Sequence, residues 1–274
     1  MRRLSPVLMC LAAWCAPLAA ADGLFEINQD CVDSGCFPGD TPGFPVTLPS
    51  GGAYRLTSNL TVNVASSGIT VQTADRVDLD LGGFTISGGG SCTGTPVTAC
   101  TPGNGVFGIN STAVANVRVH HGTVSGFGSA NIFLTQLLDG SSVENLLSSE
   151  STNNGFASIS VSVTSTGRTV VIRDVTTSRN RGFGLLSGGT SGHFDIDRLV
   201  ATGNGGIGAS LGTGATVRNS SFHRNGGLGL SSTQVVALGN STFFSNNGSS
   251  TAAQFSITTL LNMGGVVCED ASCP

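Results

Sequence analysis

Apolar and polar residues alternate in short runs along the second half of this chain. In residues 182–185, 206–209 and 227–230 every second residue is apolar, and segments such as residues 217–222 favour β-branched and small side chains. A period of two is typical of β-strands, because successive side chains of a strand point to opposite faces. No stretch shows a helical period of useful length. The pattern predicts many short strands and no substantial helix.

The alternation is organised by a repeat. An Asn-x-Gly triplet occurs five times, with glycine-to-glycine intervals of 27, 24, 21 and 21 residues. An apolar residue stands ten positions before four of these glycines and twelve before the first. Self-similarity at this period indicates stacked rungs, each built from two or three short strands. The apolar residues are Val143, Ile172, Ile196, Val217 and Leu238, and the asparagines are Asn153, Asn180, Asn204, Asn225 and Asn246.

A recurring Asn at a coil corner has a structural explanation. Asn tolerates the left-handed conformation, and its amide bonds backbone groups at the turn and pairs with the next Asn in the stack. We expect the Gly of each triplet to supply a positive φ. These asparagines are therefore interpreted as structural residues, aligned at one corner from Asn180 to Asn246.

The fold class that follows is all-β: a single-stranded, right-handed parallel β-helix with disulfide-closed terminal caps. Handedness follows the rule for parallel crossovers. Residues 217–230 (Val-Arg-Asn-Ser-Ser-Phe-His-Arg-Asn-Gly-Gly-Leu-Gly-Leu) resemble the β-helix repeat of the pectin-lyase-like superfamily, and residues 77–88 and 117–127 resemble its earlier coils. The resemblance covers roughly residues 55–250 by the repeat logic. The resemblance implies the fold but no single activity, because the superfamily includes lyases, hydrolases, epimerases and non-catalytic envelope proteins.

The chain is expected to divide into four segments. Residues 1–21 have the charged, apolar and small-residue parts of a secretory signal peptide, with cleavage after Ala21. Residues 22–54 are predicted as an N-terminal cap, 55–250 as the β-helix and 251–274 as a C-terminal cap. No other segment has the length and hydropathy of a membrane span, so we expect an exported, soluble protein that is periplasmic, extracellular or on the cell surface.

Cysteine usage agrees with an oxidising compartment. The cysteines outside the signal peptide fall into local pairs, and no C-x-x-C zinc signature occurs among them. Nearest-neighbour pairing is the plainest arrangement. The predicted disulfides join Cys31 to Cys36, Cys92 to Cys100 and Cys268 to Cys273.

Charge argues against a nucleic-acid partner. Without Arg2 and Arg3 the formal net charge is −6, and the chain contains no Lys, so a basic binding surface is not expected. Trp14 leaves with the signal peptide, and Tyr54 is the single Tyr. Flat aromatic platforms of the kind that bind sugars are therefore scarce.

The sequence contains isolated groups of candidate metal ligands but no complete catalytic motif. Asp78 and Asp80 share one strand face and provide a place for calcium, although Asp in a Leu-Asp-Leu-Gly-Gly segment more often closes its own turn. His120 and His121 are adjacent on a strand and are expected to point to opposite faces, so they would share a metal only across a bulge. Apart from the calcium alternative, we predict no cofactor and no metal centre.

One pattern rises above these fragments. Aligning the rungs on their inward apolar residues places five polar residues in one outward column of roughly alternating sign. Opposite charges on neighbouring rungs have a structural role, and the same column also suits an extended anionic or neutral polymer. We expect a non-catalytic protein that binds a polysaccharide or a partner here, alongside the loop closed by Cys92 and Cys100. The alternative is a lyase, hydrolase or epimerase acting on a uronate-containing glycan. The column is His120, Glu144, Arg173, Asp197 and Arg218.

Overall fold

The computed structural model describes residues 23–112, 115–153, 157–163, 166–189, 191–248 and 252–269. These residues form an all-β parallel solenoid of about nine turns, so the predicted fold class is confirmed. The helix is α1 (Gln29–Val32). The strands of the first half are β1 (Leu24–Ile27), β2 (Val46–Leu48), β3 (Gly52–Leu56), β4 (Leu60–Thr61), β5 (Ile69–Val71), β6 (Arg76–Asp80), β7 (Thr85–Ser87), β8 (Ser91–Gly94), β9 (Val97–Thr101), β10 (Phe107–Ser111), β11 (Asn116–Ser125) and β12 (Ala130–Leu134). Those of the second half are β13 (Ser142–Ser149), β14 (Ala157–Ser162), β15 (Thr169–Ser178), β16 (Phe183–Gly188), β17 (His193–Asp197), β18 (Val200–Thr202), β19 (Ala209–Leu211), β20 (Gly214–Arg218), β21 (Ser221–His223), β22 (Leu230–Gly239), β23 (Thr242–Phe244), β24 (Phe255–Asn262) and β25 (Val267–Cys268).

Parallel pairing arranges the strands in three ladders that run along the solenoid. Ladder 1 is β1-β3-β6-β11-β13-β15-β17-β20-β22-β24. Ladder 2 is β4-β7-β11-β13-β15-β18-β21-β23-β25. Ladder 3 is β2-β5-β10-β12-β14-β16-β19-β22-β24. The long strands β11, β13 and β15 belong to ladder 1 in their first half and to ladder 2 in their second.

The core is a stack of inward apolar residues from all three ladders. The alignment predicted for ladder 1 is confirmed, because its inward residues pair in register and each is at most 1% exposed. Register is fixed by this burial, since a slip of one residue would turn the whole set towards solvent. The residues are Val119, Val143, Ile172, Ile196, Val217 and Leu238.

Two corners bend the chain through left-handed residues. Corner 1 joins ladder 1 to ladder 2, and its residues have φ values between 44° and 58°. Corner 2 follows ladder 2. Residues at φ near +50° are uncommon outside glycine, so the recurrence marks a repeated bend. Corner 1 consists of His121, Asn145, Asp174, Arg198, Asn219 and Asn240, and corner 2 of Gly126, Glu150, Arg179, Gly203, Arg224 and Ser245.

The asparagine stack lies one residue after corner 2. Its alignment from Asn180 to Asn246 is confirmed, and all four side chains are fully buried. The expected conformational role was wrong, because the preceding residue of each rung, such as Arg179 or Arg224, adopts the left-handed conformation. The first triplet extends beyond the described residues at positions 154 and 155, and Ser151 occupies its place in the stack, where its N–H donates to Asn180 Oδ1 at 2.9 Å.

The expected positive φ of the triplet glycines was also wrong for the middle of the stack. Gly205, Gly206, Gly226 and Gly227 do not have a positive φ. A Cβ on Gly226 would lie 2.3 Å from the carbonyl oxygen of Gly205 in the previous turn, and a Cβ on Gly205 would lie 2.4 Å from that of Arg181. These glycines are therefore required by the close approach of neighbouring turns.

The N-terminal end of the core is covered by α1 and the segment after it. Asn28 caps the helix by accepting a 2.9 Å hydrogen bond from the Cys31 N–H, and Val32 joins the core. The predicted disulfide between Cys31 and Cys36 is present. The segments predicted as caps also contribute strands to the ladders: β1, β2 and most of β3 at the N-terminal end, and β24 and β25 at the C-terminal end. Residues 1–22, with the predicted signal peptide, lie outside the described part.

The predicted Cys92–Cys100 disulfide is present and closes the antiparallel hairpin β8–β9. The hairpin lies over corner 2, where Arg179 Nη2 donates to the Cys92 carbonyl at 2.6 Å and the Val97 N–H donates to the Gly203 carbonyl at 3.1 Å. It therefore borders ladder 2. The expectation that this loop stands beside the column on ladder 1 was wrong. The third pair stays a prediction, because Cys273 lies outside the described residues.

Candidate functional site

The predicted column of polar residues is assembled on ladder 1. His120 pairs with Glu144, Glu144 with Arg173, Arg173 with Asp197 and Asp197 with Arg218. We call these five residues the charged column. Parallel pairing in register places one of them on each successive turn, so their side chains repeat at the strand spacing of about 4.8 Å.

The column is longer than the sequence indicated. Asp80 pairs with His120, Arg55 with Asp80 and Glu26 with Arg55, so the alternation of sign continues towards the N-terminal end. Arg55 Nε lies 3.5 Å from Asp80 Oδ2. These additional residues lie on rungs that precede every Asn-x-Gly triplet, and the column predicted from the sequence begins at His120.

Exposure along the charged column is uneven. The side chains of Arg173 and Arg218 are each 42% exposed, whereas those of His120 and Asp197 are only 8% and 11% exposed. The expectation of a uniformly solvent-facing column was therefore wrong for His120 and Asp197. Both are covered by side chains of their own rung and of the neighbouring rungs. The two arginines remain the outward groups.

A second column of charged residues lies on the same face of ladder 1, two positions earlier in each strand. Its side chains contact those of the charged column. Arg118 Nη2 donates to Glu144 Oε2 at 3.1 Å, and its Nη1 lies 3.8 Å from Asp78 Oδ2. Arg218 Nη2 donates to Asp195 Oδ1 at 2.9 Å. Residues two apart on a strand share a face, so the sequence contained the signal for these contacts.

The network lowers the pKa of two of its carboxyl groups. Burial opposes ionisation of Glu144, but hydrogen bonds from Ser142 and Arg118, with the charges of Arg118 and Arg173, outweigh it and hold the pKa below its ordinary value. At corner 1 the hydrogen bond from Arg198 lowers the pKa of Asp174. Arg198 also donates to Asp197, and Arg173 Nε lies 3.9 Å from Asp197 Oδ2. The contacts of Glu144 and Asp174 favour the ionised form of these two carboxyl groups, and the contacts of Asp197 hold its side chain in place.

Two histidines meet at the point where β11 turns corner 1. His121 is the left-handed corner residue, with φ 58°, so its ring turns back towards His120. The two Nδ1 atoms lie 2.8 Å apart, and the ring planes are nearly perpendicular. The expectation that these side chains point to opposite faces was wrong, because it assumed a regular strand through both residues.

Two carboxylates complete this group. Asp78 Oδ1 lies 2.8 Å from His120 Nε2, and Asp80 Oδ1 lies 3.6 Å from His120 Nδ1 and 3.5 Å from His121 Nδ1. Asp80 Oδ1, His120 and His121 can all reach one point, since their ligand atoms lie within 4.8 Å of one another. We call Asp78, Asp80, His120 and His121 the histidine cluster.

The calcium alternative at Asp78 and Asp80 stays a prediction. Asp80 Oδ1 accepts from the Gly82 N–H at 2.9 Å, which confirms the predicted turn-closing role of this Asp. Asp78 faces His120 and Arg118, and Asp80 faces Arg55 and the histidines. Calcium takes six to eight oxygen ligands, and at this site the described neighbours of both carboxylates are mainly nitrogen groups.

No protein-family model matches the chain, and no curated protein matches it. Among the described residues, no helix has the length and apolar character needed to cross a membrane.

Proposed function

We propose that the protein is an exported, non-catalytic β-solenoid of the pectin-lyase-like kind that binds an anionic polysaccharide along ladder 1. The observation that carries this proposal is the placement of Arg173 and Arg218. They occupy the same position of the charged column two turns apart, and each side chain is 42% exposed.

Their spacing suits a repeating ligand. Two turns correspond to roughly 9.6 Å, twice the strand spacing of about 4.8 Å. A polymer laid along the solenoid axis meets the same side chain at a fixed interval, which a single loop does not offer. Because the core and the asparagine stack fix the register of the turns that carry them, Arg173 and Arg218 lie at that interval before binding.

Each guanidinium also keeps donors for a ligand. Arg173 approaches Asp197 through Nε, and Arg218 donates to Asp195 through one Nη2 contact. A guanidinium carries five N–H donors in a fixed fork, so donors remain for a uronate carboxylate. Asp195 and Asp197 orient the two arginines and reduce the entropy that each loses on binding.

The predicted compartment supports the choice of ligand, and the net charge restricts binding to local cations. The formal charge of −6 without the predicted signal peptide gives no general attraction to polyanions, so binding depends on these local arginines. The disulfides Cys31–Cys36 and Cys92–Cys100 support an oxidising compartment, where envelope and extracellular polysaccharides occur.

A second candidate is a lyase, hydrolase or epimerase acting on a uronate-containing glycan. The observation that favours it is the convergence of three carboxylates, Asp78, Asp80 and Glu144, around Arg118 and His120. Clustered carboxylates beside a cation and an imidazole are the groups that acid–base chemistry on a uronate needs. This candidate predicts turnover that is lost in Arg118→Gln.

The test is affinity and turnover against a panel of uronate-containing and neutral polysaccharides. We expect binding of at least one uronate polymer without new reducing ends, unsaturated product or epimerised sugar. The double substitution Arg173→Ala, Arg218→Ala should abolish that binding. The control is Arg168→Ala with Arg224→Asn, which removes the same charge outside the column and keeps a residue suited to φ 51° at position 224. Equal loss in both double variants, or turnover by the wild-type protein, would contradict the proposal.

A further inference from the structure

The histidine cluster has the composition and geometry of a transition-metal site. Asp80 Oδ1 and the Nδ1 atoms of His120 and His121 converge from two consecutive turns of ladder 1 and from corner 1. Two imidazoles and one carboxylate are a donor set that suits zinc and its neighbours, whereas Mg²⁺ and Ca²⁺ prefer oxygen. We propose that Asp80, His120 and His121 bind a divalent transition-metal ion of the zinc class, and that Asp78 positions His120.

The distances are close to those of a bound ion. Zn–N bonds of about 2.0–2.1 Å at a tetrahedral angle place two ligand nitrogens about 3.3 Å apart. Asp80 Oδ1 lies 3.5 Å from one Nδ1 and 3.6 Å from the other, and the two Nδ1 atoms lie 2.8 Å apart. Binding therefore requires the rings to separate by roughly half an ångström. The His121 side chain is 52% exposed and is free to make that movement.

Asp78 prepares His120 as a ligand. Its Oδ1 lies 2.8 Å from Nε2, so the His120 Nε2–H donates to it and the Nδ1 lone pair is directed at His121 and Asp80. A carboxylate on the distal nitrogen of a ligating histidine fixes its tautomer and ring orientation. Without an ion, the His121 Nδ1–H donates to His120 Nδ1. In the metal-bound form this hydrogen lies on His121 Nε2 instead of Nδ1, so both Nδ1 lone pairs face the ion.

Asp80 is arranged to bind through one oxygen. Its Oδ2 faces Arg55 Nε at 3.5 Å, while Oδ1 faces the histidines and accepts from the Gly82 N–H. The Arg55 side chain is 51% exposed and can withdraw from the ion's charge. Three protein ligands leave at least one coordination position for water or another ligand, as in metal sites that are open to solvent.

The two positions that carry these histidines hold different residues on the following turns. At the His121 position the next turns have Asn145, Asp174 and Arg198, all with a positive φ. The left-handed conformation of His121 is therefore ordinary for this corner and is not by itself a sign of strain. His121→Asn is therefore a conservative substitution, because Asn145 occupies the equivalent corner position one turn away.

The experiment is zinc titration of the full exported chain, without an affinity tag and after removal of metal by chelation. Calorimetry should give one Zn²⁺ per chain, and Co²⁺ should give visible d–d bands of a site with nitrogen ligands. Zinc should also raise the Tm, since an ion that binds only the folded state stabilises it. X-ray absorption of the zinc-loaded protein should report two imidazole ligands.

The variants locate the site. His121→Asn should keep the Tm of the metal-free protein and weaken zinc binding by at least about 100-fold, since a directly coordinating group is lost. Asp78→Asn should weaken it by about 10- to 100-fold through loss of the positioning carboxylate. His223→Asn is the control, because His223 lies on ladder 2 beside Phe244, and it should leave affinity and stoichiometry unchanged.

Three results would overturn the proposal. These are failure of the wild-type chain to bind zinc at millimolar concentration, unchanged affinity in His121→Asn, and loss of binding in His223→Asn. If His121→Asn fails to fold, His120→Gln replaces it, with the same expected loss of zinc affinity. Zinc affinity that is unchanged in Asp78→Asn would show that the Asp78–His120 hydrogen bond is only structural.

Discussion

Asn204 Nδ2 donates a hydrogen bond of 2.9 Å to Asn225 Oδ1, one turn further along the solenoid. The same bond joins Asn180 to Asn204 and Asn225 to Asn246, and the stack ends on Gln254 Oε1 at 3.1 Å. Each Nδ2 also donates to a backbone carbonyl, that of Thr177 in the case of Asn204. Buried amides are stable only when they are bonded in this way, so the stack specifies the register of the turns.

Replacing Asn204 by Leu should lower the free energy of unfolding by about 1–3 kcal/mol. The substitution leaves amide groups of Asn180 and Asn225 buried without their partner. Urea denaturation measures the loss, and Asn145→Gly is the control, because Asn145 is exposed at corner 1 and its conformation suits glycine. Equal destabilisation by the two substitutions would contradict the role assigned to the stack.

Replacing Gly226 by Ala should destabilise the protein by about 1–3 kcal/mol, as overpacking of a close contact does. The new Cβ would lie 2.3 Å from the Gly205 carbonyl oxygen, and backbone atoms cannot give way as a flexible side chain can. Gly167→Asn is the matched control, because Gly167 has a positive φ and no atom within 4 Å of a built Cβ. A neutral Gly226→Ala would show that neighbouring turns separate without cost.

Three local disulfides are expected in the exported protein, and non-reducing peptide mapping should recover each pair. Two of them are present in the structure, while the pairing of Cys268 with Cys273 rests on the sequence. Each loop is short, so the stabilisation per bridge should lie towards the low end of about 2–4 kcal/mol. A peptide joining Cys31 to Cys268 would refute the assignment of separate local bridges.

The stabilising contribution of Glu144 should be lost in acid. Its pKa is lower in the folded state than the ordinary value of 4.5, so its contribution is fully present above that value and is lost as the pH falls through the lowered folded-state pKa. The stability difference between wild type and Glu144→Gln should therefore be larger at neutral pH than in acid, as measured by denaturation across the pH range. In an Arg118→Gln background this pH dependence should shrink, because the hydrogen-bond donor is gone. If the effect of Glu144→Gln depends on pH equally in both backgrounds, Arg118 does not lower the Glu144 pKa.

The sequence predicted which residues share a column and missed the backbone conformation at the corners. Period-two alternation and the triplet spacing were sufficient for the parallel solenoid, the inward residues and the in-register charged column. The exposure of that column was harder to predict, because it depends on diagonal contacts such as Arg118 with Glu144 between neighbouring turns. The meeting of His120 and His121 requires a left-handed residue at position 121. The available signal was the Asn at the same position of other rungs, such as Asn145 and Asn219, because Asn tolerates the left-handed conformation.

The most direct test of the proposed function is the dependence of affinity on the length of the uronate ligand. If Arg173 and Arg218 bind one polymer along the solenoid, affinity should rise by about 100-fold or more once an oligomer spans two turns, because the second contact becomes intramolecular. The step should vanish in Arg218→Ala while the weak affinity for the monosaccharide persists through Arg173. An affinity that does not change with oligomer length, or a step that survives in Arg218→Ala, would contradict binding along the column.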